Sequence, residues 1–199
     1  MKIVIGSLLA AVVCFFWGYL SWTVMSWHEN GMHGFHEEEM MAEMFVKNAQ
    51  AGHAVYRLPM LEHTPKGALP EERKAVRDKF QKSMDDGPYV YAVVRPGKSH
   101  YSEGNNMLMG LARSFFAALL LAVFLSLTTI PYMARVAVCA AAGLFAGIVA
   151  DLPMWIWFEM PTRELMVGFV DHVIEWTFGG LILAAFAGKN PTAAHDRHH

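Results

Sequence analysis

The sequence predicts an all-α membrane protein, four transmembrane helices with a small α+β extramembrane cap between helices 1 and 2, and three observations lead there. Of the 199 residues 54% are hydrophobic and only 17% charged, against about 25% charged in an ordinary soluble domain. The mean hydropathy is +0.26. The charge is also unevenly placed: ten of the sixteen Lys/Arg and twelve of the eighteen Asp/Glu lie between His28 and Asn106. Long apolar runs remain on either side. This split excludes a conventional soluble enzyme, a collagen-like chain and a disordered one. A net charge of −2 gives no electrostatic reason to expect nucleic acid as a partner. The chain divides into a first transmembrane helix (1–27), a periplasmic α+β cap (28–106), transmembrane helices 2–4 (107–188) and a cytoplasmic tail (189–199).

A bilayer core of about 30 Å needs about 20 apolar residues in a helix. Ile3–Met25 supplies 23 without a charge. That is longer than the roughly 7–15 residues of a signal-peptide core, and Tyr19-Leu20-Ser21-Trp22-Thr23 offers no small-x-small cleavage site before Trp27, so the first span is an uncleaved anchor. The second span runs from Met107 to Ile130, interrupted by Arg113 and closed by Pro131. The third lies between Arg135 and Asp151. Its fifteen intervening residues reach about 22 Å at 1.5 Å per residue, so its ends must snorkel or the bilayer must thin. Pro153 then stops or kinks the helix. The fourth runs from Leu165 to Ala187 and ends at Gly188-Lys189-Asn190-Pro191.

Lys2, Arg135, Lys189 and Arg197 fall on one side of these spans, and Arg163 alone occupies the short loop on the other. The positive-inside rule places both termini in the cytoplasm and residues 28–106 in the periplasm of a Gram-negative host, a multi-pass bacterial inner-membrane protein. Trp22, Trp27, Trp155 and Trp157 gather on the outer side, as an interfacial belt requires. Within the cap, Glu37–Gln50 reads as a helix with glutamates in its first turn. Ala54–Leu58 reads as a short strand. Pro70 opens a second helix with Glu71 and Glu72 behind it, Asp85-Asp86-Gly87-Pro88 breaks it, and Tyr89–Arg95 forms a second strand. Elements so few and short bury little, so the cap must pack on helix ends, on another copy or on a different subunit. The tail Thr192–His199 is short, polar and expected to be disordered.

The fourth span carries the sharpest chemical signal. Glu164, Asp171 and Glu175 recur at seven and four residues on one helical face, with His172 beside them. An ionisable group at the depth of Glu175 costs at least ~2.5 kcal/mol unless it is paired, protonated or wet. Counted from the outer ends, Arg113 and Asp171 lie at similar depth, which predicts an Arg113–Asp171 ion pair, joined by Glu175, that fixes helix packing. The same four residues, Arg113, Asp171, His172 and Glu175, are the candidates for a proton or cation path. A second candidate is the stretch from His28 to Met44. Imidazole and thioether groups there (His28, Met32, His33, His36) suit copper, and a helical segment would stack His28, Met32, His36 and Met40 at four-residue spacing. Gly31 and Gly34 oppose that helix, and no H-E-x-x-H spacing occurs.

Cys14 and Cys139 lie inside spans one and three and read as small apolar fillers outside any disulfide framework. Gly143-x-x-x-Gly147 lets another helix approach closely, and Gly179-Gly180 offers a matching groove. No P-loop, dinucleotide fingerprint or G-x-S-x-G is present, so no catalytic residue is assigned and no cofactor is expected apart from the copper reading. The run Phe16-Trp17-Gly18 with Ser21-Trp22 and Trp27-His28, the Gly87-Pro88-Tyr89 strand start and the Pro153-x-Trp155-x-Trp157 turn together resemble a group of small, functionally unassigned bacterial inner-membrane proteins. That resemblance implies a shared fold and carries no activity. The leading expectation is a non-catalytic accessory or assembly subunit of a membrane complex, its partners being the bilayer and either copies of itself or other membrane subunits. The alternatives are a periplasm-facing copper-handling protein and a small oligomeric transporter or proton-coupled channel using the helix 4 carboxylates. For the latter the paired repeats usual in transporters are absent.

Overall fold

A computed structural model describes residues 1–188. Its elements in chain order are α1 (Lys2–Thr23), a single 3-10 turn (Glu29–Gly31), α2 (Glu38–Asn48), β1 (Ala54–Leu58), α3 (Pro70–Asp86), β2 (Val90–Val94), α4 (Glu103–Ser126), α5 (Tyr132–Ala150), α6 (Leu152–Phe158) and α7 (Thr162–Phe186). They fall into two compact units: residues 1–33 with 101–188, and Gly34–His100. Lys189, Arg197 and the tail expected to be disordered lie outside the described residues.

The helical unit contains four helices long and apolar enough to cross a membrane: α1, α4, α7, and α5 continued by α6. Its residues are sorted inside out relative to a soluble bundle. The core is built mostly from small residues, Ala10, Cys14, Ala118, Ala122 and Cys139, closed by Leu125, Trp176 and Leu183. Large apolar side chains such as Leu8, Phe16, Phe116, Leu120 and Phe145 point outward. Small faces let helix backbones approach, which is how helices associate where apolar burial gives no advantage. α7 is the hub. It packs most extensively on α5 and then on α1; α1 in turn packs along α4, while α4 and α5 share no comparable interface.

The α5–α7 contact rests on absent side chains. A Cβ at Gly143 would strike the His172 carbonyl oxygen, and one at Gly180 would come within 2.7 Å of Cys139 Cβ. The expected match between the two glycine pairs does not form: Gly143 and Gly147 of α5 lie against His172, Trp176 and Phe169 of α7, Gly180 lies against Val136 and Cys139 at another level, and Gly179 receives Cys14 of α1, whose Sγ lies 2.7 Å from where a Cβ would stand.

The third span differs from its expectation. Pro153 sits in the first turn of α6, where its missing N–H needs no partner, and the apolar stretch runs over 27 residues from Tyr132 to Phe158. The predicted shortness disappears because Arg135 lies within the helix rather than bounding it. Its side chain is 3% exposed. Nε–H donates to the Ile130 carbonyl (2.9 Å), and Nη1 donates to the Ala184 and Ala187 carbonyls (2.9 and 3.0 Å). The arginine thus satisfies the carbonyls left open at the end of α7, where a cation is also favoured by the helix dipole.

In the second unit, β1 and β2 form an antiparallel ribbon in register from Ala54↔Val94 to Leu58↔Val90. α3 starts at Pro70, with the Glu72 carboxylate accepting the Leu69 N–H at 2.9 Å, and ends where Gly87 takes φ +64. The Arg57 guanidinium lies 5.6 Å from the ring centres of both Phe80 and Tyr89, an arrangement of about 0.5–1 kcal/mol per ring at an exposed site. All residues of this unit are described, and Ala49 alone among them is buried.

Candidate functional site

The polar side chains of the helical unit gather around the N-terminal half of α7. After α1, Ser26 adopts φ +53 and reverses the chain, a left-handed turn uncommon outside glycine. This folds Trp27 and His28 back onto α1. The His28 ring stacks on Trp22 with centroids 4.0 Å apart and planes 1° apart. Buried Ser21 holds the corner, its hydroxyl accepting the Trp27 indole N–H at 2.8 Å and lying 3.1 Å from His28 Nε2. Asp171 completes the group. Trp17 Nε1–H donates to its Oδ1 at 2.7 Å, and His28 Nε2 stands 3.4 Å from its Oδ2.

One turn further along α7, Glu175 accepts a hydrogen bond from Arg113 Nη2 at 2.8 Å. The Glu175 side chain is 7% exposed and that of Arg113 is 65% exposed. The partner of Arg113 is therefore Glu175, where the depth count had placed Asp171. Counted from the true helix starts, Glu103 and Thr162, Arg113 still lies level with Asp171, and its long side chain bonds to the carboxylate one turn deeper. A third couple joins α7 to the end of α5, with His172 Nε2 3.2 Å from Asp151 Oδ2. Arg163, in the first turn of α7, donates to the Trp27 carbonyl at 2.6 Å and to Glu164 at 2.7 Å.

Arg113, Asp171, His172 and Glu175 thus lie in one region, as three separate couples that tie α7 to α4, to α1 with its reversed segment, and to α5. The sequence reading missed Trp17, Ser21, Asp151 and the role of His28. Of these only Asp151 carried a usable signal, an acid at the end of an apolar span and on the same side as His172. The copper candidates are not assembled into the predicted stack: Glu29–Gly31 makes one 3-10 turn, Met32 is extended, and α2 begins only at Glu38. Among the described residues no three His, Cys, Asp or Glu side chains are grouped to hold a metal ion. Cys14 and Cys139 are free and fully buried.

No family model matches the chain, and no curated protein or solved structure matches it either.

Proposed function

We propose that the protein is a non-catalytic, multi-pass membrane protein of the bacterial inner membrane, serving as an accessory or assembly subunit, with both termini cytoplasmic and the segment 28–106 as its periplasmic contact surface. The observation that carries this reading is the sparse interior of residues 34–100. Ala49 is buried there, while Met40, Val46, Val55, Met60, Leu69 and Val93 are each more than half exposed. A unit of that size needs a core or a partner, and exposed apolar surface of this kind marks contact sites. The polar groups agree with a structural role, because Asp171 and Glu175 each engage a neighbouring segment. The orientation is supported by the placement of Lys2 and Arg135 at one end of the spans and Arg163 at the other.

Native mass spectrometry of the gently extracted protein tests the reading. The expected result is a complex containing further copies or a second polypeptide. A chain that remains a single copy under every gentle extraction overturns it. Protease added to intact spheroplasts is expected to cut within residues 28–106, and protection of that segment overturns the orientation.

A further inference from the structure

The missing α4–α5 interface leaves a cleft of about 330 Å³ above α7, within the range of roughly 300–1,000 Å³ typical of ligand sites. Ala117 and Leu121 of α4 form one wall, Ala142 and Ala146 of α5 the other, and Trp176 the apolar part of the floor. Arg113, His172 and Glu175 supply the polar part.

Arg113 is the incomplete member. Of its five N–H donors, Nη2 meets Glu175 at 2.8 Å and approaches the Ser114 hydroxyl at 3.5 Å. Nε and Nη1 have no acceptor among the described residues, and the side chain is 65% exposed. Arg113 stands six residues inside the apolar run of α4 that begins at Met107, about 9 Å along the helix at 1.5 Å per residue. In hydrocarbon an unmatched N–H is strongly unfavourable, so the missing acceptor has to come from outside the chain.

The nature of that acceptor follows from charge. Glu175 already neutralises the guanidinium, and Asp171 and Asp151 lie on or beside the same helix. An anion in the cleft would leave two negative groups facing one cation in a low-dielectric site. A neutral oxygen meets no such objection. We propose that the α4–α5–α7 cleft binds a neutral, membrane-soluble amphiphile through a carbonyl oxygen that accepts the free N–H groups of Arg113, its apolar body lying between Ala117, Ala142, Ala146 and Trp176. A quinone ring and a glyceride ester share this chemistry.

The test uses the full-length protein in lipid-free detergent, titrated calorimetrically with a one-isoprene benzoquinone and, separately, with dihexanoylglycerol. Saturable binding of at least one is expected. Arg113→Lys, which keeps the charge but loses the guanidinium fork, is expected to weaken it about tenfold. Ala146→Leu fills the cleft without touching the ion pair, and is expected to weaken binding by about tenfold or more. Binding of the benzoquinone alone identifies a quinone ring as the head, whereas binding of dihexanoylglycerol shows that an ester carbonyl suffices. Absence of saturable binding by both probes, affinities unchanged in Ala146→Leu, or tighter binding of decanoate than of either neutral probe overturns the proposal.

Discussion

The two units solve the problem of staying folded in opposite ways. The helical unit buries mostly alanine, cysteine, glycine and serine against one another and turns many of its leucines and phenylalanines outward. The unit from Gly34 to His100 has a two-stranded antiparallel ribbon and two helices, turns many of its large apolar residues outward as well, and buries one alanine. The first arrangement is stable where the surroundings are apolar, because outward leucines lose nothing there and close backbones gain dispersion and polar contacts. The second has no such interior to rely on. Mutations should therefore be felt strongly in the helical unit and weakly in the other.

Gly143→Ala should give the largest effect. Its new methyl meets the backbone of α7, which cannot swing aside as a side chain would. Overpacking of this kind costs about 3 kcal/mol at the upper end, or a fall in Tm of roughly 6–12 °C, read from thermal unfolding in detergent. Glu175→Leu comes next. It leaves the Arg113 guanidinium without its carboxylate, and because that guanidinium is largely exposed the expected loss is about 2 kcal/mol rather than the ~3–5 of a fully buried pair. The double variant Arg113→Leu/Glu175→Leu should recover most of that loss, and a cycle with no coupling would show that the pair does not hold α4 to α7. Asp171→Asn retains an acceptor for the Trp17 indole and removes only the charge facing His28, so about 1 kcal/mol is expected. Val93→Thr, on the exposed face of β2 opposite Val55, should change stability by less than about 0.5 kcal/mol. If Val93→Thr proves as damaging as Gly143→Ala, the contrast between the units fails.

Regular elements with local signals were legible in the sequence. β1 spans the residues expected of it, α3 begins at the proline that announced it, and the four apolar helices lie where hydropathy puts them. The close helix approach at Gly143 and Gly147 was legible too, since a missing side chain at four-residue spacing has one principal structural use, whereas the place of Gly179-Gly180 against Cys14 and Cys139 was not. What failed depended on long-range placement. Arg135 looked like a boundary marker, because an arginine bordering an apolar run usually faces water, and only the end of α7 folded beside it reveals a cap. The Arg113 partner was misassigned by one helical turn, a step that its long side chain spans and that exchanges one carboxylate for another. His28 looked like a metal ligand because its aspartate lies 143 positions away, and no local pattern announces a reversal at Ser26 that brings the two together.

The two native thiols sit at 0% exposure, each pressed against a glycine of α7. A membrane-impermeant maleimide should leave both unlabelled in the folded protein, so the wild-type chain is already a blank background for chemical mapping. A single cysteine introduced at an exposed position outside the spans such as Met60 would then report the sidedness of that segment, without first stripping out residues on which the helix contacts rely.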